Sequence, residues 1–152
     1  MDDKSLDAYD RKILDILSKE GRISVTDLAP RVGLSKTPCM ARMKKLQDNG
    51  IIIGYTAQID QTKIGRNHVA FAEIKLHDTK EKALNDFNEA VRKIPEIEQC
   101  HMIAGSFDYL LKVRTKDIQS YRRFLGEQIS TLPNIANSST YVSMQSVIES
   151  SN

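Results

Sequence analysis

The feature that most constrains this chain is a change of hydrophobic period near Gly50. Before it, apolar residues recur at the spacing of a helix. After it, alternating runs of strand type take turns with helical ones. In the first half, "LDAYDRKILDILSKEG" puts Leu6, Tyr9, Ile13, Ile16 and Leu17 on one stripe, with Asp7 placed to cap the start and Gly21 the end. "RISVTDLAPRVG" opens on Ser24 and Asp27, three apart as in a capping box, and carries Leu28 and Val32 on its apolar face before Gly33 breaks it. Pro30 deletes a hydrogen bond and disfavours helical geometry at Ala29, which predicts a short or kinked helix. Ser35 is the expected cap of a third helix that runs to Asn49-Gly50. Pro38 falls in its first turn, where a missing N–H has no intrahelical acceptor to lose.

Beyond Gly50, "IIIGYTAQID" (51–60) predicts a small two-stranded hairpin with Gly54 in its middle. "QTKIGR" (61–66) is polar and reads as a linker. Strands follow over 68–76, 97–104, 107–113 and 140–148, with helices over 80–94 and 117–132, the second ended by Pro133. The helix at 80–94 gathers Ala83, Leu84, Phe87, Val91 and Ile94 on one face. The strand at 107–113 does the same with Phe107, Tyr109, Leu111 and Val113. Gly105-Ser106 is the expected tight turn between two strands, with the glycine supplying a positive φ. The order βαββαβ is that of a ferredoxin-like split motif. The expected fold is therefore α+β: a winged helix-turn-helix over 1–60, a linker at 61–66, and a ferredoxin-like domain over 67–152.

Composition narrows the function classes. The formal net charge is only +2, so any basic patch that meets nucleic acid must be local. The two cysteines, Cys39 and Cys100, form no CxxC pair, and the acidic "MDDKSLDAYD" is unlike a secretory signal. No apolar run approaches the roughly 18 residues of a membrane span. The expectation is a cytoplasmic protein with reduced thiols and no membrane association. His68, His77 and His101 lack metal-ligand spacing, no glycine-rich phosphate loop appears, and no nucleophile–base set stands out. Neither a metal, a cofactor nor an enzymatic activity is expected.

The local basic patch is "LSKTPCMARMKKL" (34–46). At about 100° per residue, Cys39, Met43, Leu46 and Gly50 share the core side. Thr37, Ala41, Lys44, Lys45 and Asp48 lie opposite, with Pro38 and Arg42 on the flanks. Small residues in the centre of a face let the backbone approach a surface, and long cations beside them reach outward. A major groove about 12 Å wide with phosphate walls is complementary to this. A helix N-terminus at Ser35 adds unpaired N–H groups that favour phosphate. The preceding helix completes a helix-turn-helix, and the hairpin at 51–59 would be its wing. Ser35, Lys36, Thr37, Pro38, Ala41, Arg42, Lys44 and Lys45 are the candidate DNA-binding residues.

In the second half, "AGSFDYLL" puts Asp108 at the start of an otherwise apolar strand. A carboxylate near a subunit boundary could hold an α-ammonium group, and turn N–H groups an α-carboxylate.

The chain resembles the Lrp/AsnC family of bacterial and archaeal feast/famine regulators. The resemblance rests on "LDAYDRKIL", "EGRIS", "RVGLSKTPC", "GYTAQI", "QCHMIAGSFDYLLKV", "YRRFLGEQISTLP" and "TYVSM", and runs from about Leu6 to Ile148. Pro30 stands where a polar residue is usual, and Ser106 where the family often has an acidic one. The resemblance implies a transcriptional regulator of amino-acid metabolism that binds double-stranded DNA. It implies homodimers assembled into larger rings, often octamers, and an amino acid as effector. It carries the effector site onto Gly105, Ser106, Phe107 and Asp108, and onto Thr140 in the stretch 135–140. Two other readings compete: an architectural DNA-binding protein with no effector, and a ferredoxin-like metabolite-binding module.

Overall fold

The computed structural model describes residues 6–149. They form two compact units that divide between Gln58 and Ile59.

The first unit is helical. Helix α1 (Ala8–Lys19) is capped by Asp7, whose side chain accepts from the Tyr9 and Asp10 N–H groups. Asp10 completes the capping box by accepting from the Asp7 N–H. Helix α2 (Val25–Val32) starts at Ser24, which accepts from the Asp27 N–H. Its eight residues bear out the short helix predicted from Pro30. It ends in a Schellman pair, Leu34 N–H to the Ala29 carbonyl and Gly33 N–H to that of Pro30, with Gly33 at φ 80°. That left-handed glycine makes the turn into α3 (Lys36–Asp48). Ser35 takes the N-cap position of α3, but its side chain makes no capping bond, contrary to the expectation. Ile13, Leu17, Leu28, Val32, Cys39 and Leu46 form the core, with Met43, Ile51 and Ile52 packed against it.

The hairpin expected over 51–60 is absent: no paired strand occurs there. The Ile51 and Ile52 N–H groups both bond to the Leu46 carbonyl, so the start of the segment is spent closing α3. Ile53 is then 96% exposed, which leaves no apolar face to stabilise a two-stranded ladder. The segment expected as the wing has no regular secondary structure, and its Tyr55 hydroxyl accepts from the Gln47 amide.

In the second unit the stretch expected as a linker folds into a turn. Asp60 accepts from the Thr62 and Lys63 N–H groups, and Gly65 sits at φ 77°. An antiparallel sheet follows in the order β2-β3-β1-β4. Its strands are β1 (His68–Leu76), β2 (Ile97–Met102), β3 (Tyr109–Thr115) and β4 (Ile135–Val142). Helices α4 (Glu81–Val91) and α5 (Ile118–Glu127) cover one face. Ala70, Ala72 and Ile74 of β1 and Leu111 and Val113 of β3 meet Phe87 and Val91 of α4 and Tyr121 and Phe124 of α5 there. The period-two alternation places Phe71, Glu73 and Lys75 of β1 on the other face.

The sheet departs from expectation in two places. Strand β4 runs from Ile135 to Val142 and not over 140–148: Asn134 at φ 66° follows Pro133 and turns the chain directly into the sheet. The polar run "ANSST" reads as a loop, yet β4 is an edge strand whose outward residues face water, so polar side chains cost it little. The β2–β3 connection is also wider than a two-residue turn. Met102 pairs with Tyr109, and the Ile103 N–H bonds the Asp108 carbonyl at 2.8 Å, so residues 103–108 form the loop. Gly105 is not among the glycines with positive φ, because a loop of this width does not require one.

Candidate DNA interface and effector site

Helix α3 is held by Cys39 and Leu46, which are 0% and 2% exposed. Ser35, Lys36, Thr37, Pro38, Ala41, Lys44 and Lys45 are all exposed. The small residues and the lysines therefore share an open face. Lys44 pairs with Asp48 at 2.8 Å, but both side chains are more than half exposed, so the pair is weak and exchanges readily for a phosphate. Lys36 and Lys45 make no ion pair among the described residues.

Arg42 differs from its neighbours. Its Nη1 donates to Asp7 Oδ2 at 2.6 Å and Asp10 Oδ1 at 2.9 Å, and its guanidinium lies 5.2 Å from the centre of the Tyr9 ring. It turns toward α1. The Asp10 N–H and then the Arg42 guanidinium hold the Asp7 carboxyl below the usual carboxylate range. The same two carboxylates keep Arg42 charged.

In the second unit, an open cleft of about 330 Å³ is lined by Glu73, Lys75, Ser106, Phe107, Asn137, Ser138 and Ser139. Of the residues carried over for the effector, Ser106 and Phe107 line it. Gly105 is exposed in the same loop. Asp108 does not line the cleft. Its Oδ2 accepts from the Leu76 N–H at 2.7 Å, its own N–H bonds the Ile74 carbonyl, and Oδ1 lies 3.7 Å from Lys75 Nζ. This ties the loop to the end of β1, beside the register shift at Lys75/Leu76. Thr140 faces the helices, with its hydroxyl bonded to that of Tyr121 at 2.7 Å. The other five lining residues, Glu73, Lys75, Asn137, Ser138 and Ser139, were not among those expected from the sequence. Glu73 and Lys75 carried a signal, since alternation in "HVAFAEIKL" sets them opposite buried Ala72 and Ile74. A second cleft, of about 520 Å³, lies where the end of β3 meets α5 and is bordered by Arg66, Lys116 and Arg123. It contains none of the expected residues.

The first unit thus presents a basic helix and the second an open polar cleft. Residues 69–152 match the Lrp/AsnC ligand binding domain, and residues 6–53 a winged helix-turn-helix DNA-binding model. The chain belongs to the Lrp/AsnC family. It is 62% identical over 144 residues to a proline dehydrogenase transcriptional activator of Rhizobium radiobacter, covering 95% of this chain and 92% of that one. The leucine-responsive regulatory protein of Escherichia coli K12 is 44% identical, with 97% and 90% covered. An AsnC family transcriptional regulator from Agrobacterium tumefaciens superposes with a TM-score of 0.91 at 33% identity, covering 97% and 95%. A transcriptional regulator from Neisseria meningitidis, solved in complex with L-Met, superposes with a TM-score of 0.89 at 30% identity, covering 95% and 93%. No described helix is long and apolar enough to cross a membrane.

Proposed function

We propose that this regulator reads DNA with the Lys36–Lys45 face of α3 and changes its response when an amino acid occupies the Glu73–Lys75 cleft. In this reading the division of labour falls between the two units, and the protein acts in the cytoplasm. The observation that carries the DNA half is the exposure of Thr37 and Ala41 between unburied lysines, on a helix anchored from the opposite side by buried Cys39 and Leu46. The cleft offers a carboxylate and an ammonium two residues apart on one strand. An amino acid can present its ammonium to Glu73 and its carboxylate to Lys75, each a charge-assisted hydrogen bond. Asp108 acts from behind, holding the loop that carries Ser106 and Phe107. Two relatives, 62% and 52% identical, are named proline dehydrogenase transcriptional activators, which favours proline as effector and the proline dehydrogenase gene as target.

Calorimetry against the twenty amino acids tests the cleft. Proline is expected to give heat that Glu73→Gln and Lys75→Met each remove, while Thr140→Val leaves it unchanged. Heat from the parent that survives in both cleft variants would move the site elsewhere. No heat with any amino acid would favour the architectural reading.

We further infer a homodimer as the building block of larger rings. The sheet face without helices carries the half-buried Phe71 and Leu110, and beside Phe71 on the same face Tyr141 is 54% exposed. Exposed apolar surface of this kind marks an interface. A second copy with the same face would cover it, and a two-fold dimer matches a palindromic operator. Light scattering at micromolar concentration is expected to give a multiple of 17.2 kDa; a stable species of that single mass would refute the assembly.

A further inference from the structure

We propose that Arg42 is a positioning residue: it fixes the reading helix to the start of α1 through Asp7 and Asp10, and it does not contact DNA. This rests on the reading of α3 as the DNA-reading helix, and assigns Arg42 a role different from that of the lysines around it.

Every oxygen of the two carboxylates is committed. Asp7 Oδ1 accepts from the Tyr9 and Asp10 N–H groups, both at 2.9 Å. Asp10 Oδ2 accepts from the Asp7 N–H at 3.3 Å. The remaining two oxygens, Asp7 Oδ2 and Asp10 Oδ1, both take Arg42 Nη1. The capping box of α1 and the clamp on α3 are thus one structure, and the carboxylates that begin the first helix also set the angle of the third. Tyr9, beneath the guanidinium, limits its swing.

Electrostatics argues that the clamp persists when DNA binds. The Asp10 side chain is only 11% exposed. If Arg42 swung out to a phosphate, it would leave a largely buried carboxylate and its neighbour without their cation, close to a polyanion. Removing one partner from such a pair costs more than the pair gains by forming. Arg42 also cancels charge that would otherwise repel phosphates from α3. The start of α1 has little left to offer a phosphate, since the Asp7, Tyr9 and Asp10 N–H groups are taken by its own aspartates.

The two roles predict opposite signs for one substitution. If Arg42 positions the helix, Arg42→Ala and Asp10→Asn each weaken binding to a selected operator about tenfold. Binding to a random heteropolymer duplex falls much less, and the salt slope stays that of the parent. The double variant is no worse than either single one, because both break the same link. If Arg42 instead contacts phosphate, Asp10→Asn frees it and tightens binding, and Arg42→Ala lowers the salt slope by about one. Fluorescence anisotropy over a salt series measures all of these, with the operator selected from a random-sequence library. Stoichiometric titration counts the active fraction. If that fraction falls while the specific-to-nonspecific ratio of the active protein is unchanged, the role is only one of stability and the proposal is overturned. Tighter binding by Asp10→Asn, or a reduced slope in Arg42→Ala, overturns it too. A parent protein without salt-dependent binding would overturn the reading of α3 itself and this role with it, a result distinct from the others.

Discussion

Replacing Lys36, Lys44 and Lys45 together with alanine is expected to lower affinity for any duplex by about a hundredfold at low salt, and to flatten the salt slope by about one unit for each lysine that reaches a phosphate. The reasoning is local, since a net charge of +2 supplies little general attraction. All three lysines are exposed, and the one visible ion pair, Lys44 with Asp48, is too solvated to compete with a phosphate. The loss should be nearly the same for operator and random sequence, in contrast to the Arg42 clamp. A gel-shift titration that returned the parent's affinity and slope would reduce α3 to an ordinary solvated helix.

The second large effect concerns the sensing unit. Phe87 is 0% exposed, and its ring lies 4.4 Å from that of Tyr109, where α4 crosses the sheet. Phe87→Ala removes that stacking and leaves a cavity bordered by strands that pair on both sides. Such truncations cost about 3–5 kcal/mol, a large share of the total of about 5–15 kcal/mol typical of a folded domain. Urea unfolding followed by a probe in the second unit measures it. A loss below about 1 kcal/mol would show that α4 packs less firmly than the buried ring implies.

The sequence disclosed what depends on neighbours a few positions apart. Asp7 and Ser24 as caps, Gly33 as the turn, and the alternation in "HVAFAEIKL" all followed from local chemistry, as did most of the helices' core faces; Tyr9, expected on the stripe of α1, is 41% exposed and lies under Arg42 instead. It hid what depends on distant partners. Strand β4 was obscured because its polar residues are tolerated only at an edge, and the edge is defined by which strand lies beside it. The wing was expected as a hairpin because β-rich residues were present, but the Leu46 carbonyl takes the first two donors. Asp108 was expected to face a ligand; its carboxylate instead meets the Leu76 N–H, 32 positions away in the chain. Arg42 carried a partial signal. At about 100° per residue it stands roughly 60° from Cys39, nearer the core than Lys44 and Lys45 and on the flank opposite Lys36. That angle points toward another helix, although nothing local names Asp7 and Asp10 as what it meets.

Glu73 and Lys75, the two cleft residues on β1, have strand neighbours that face the core. Glu73 stands between Ala72 and Ile74, and Ser139 next to Thr140, which is bonded to Tyr121. On β1, cleft lining and core thus occupy alternate letters of one strand. Ser106, Asn137 and Ser139 can be exchanged without disturbing a buried side chain, so the surface of the cleft can change while the interior of the sheet stays as it is.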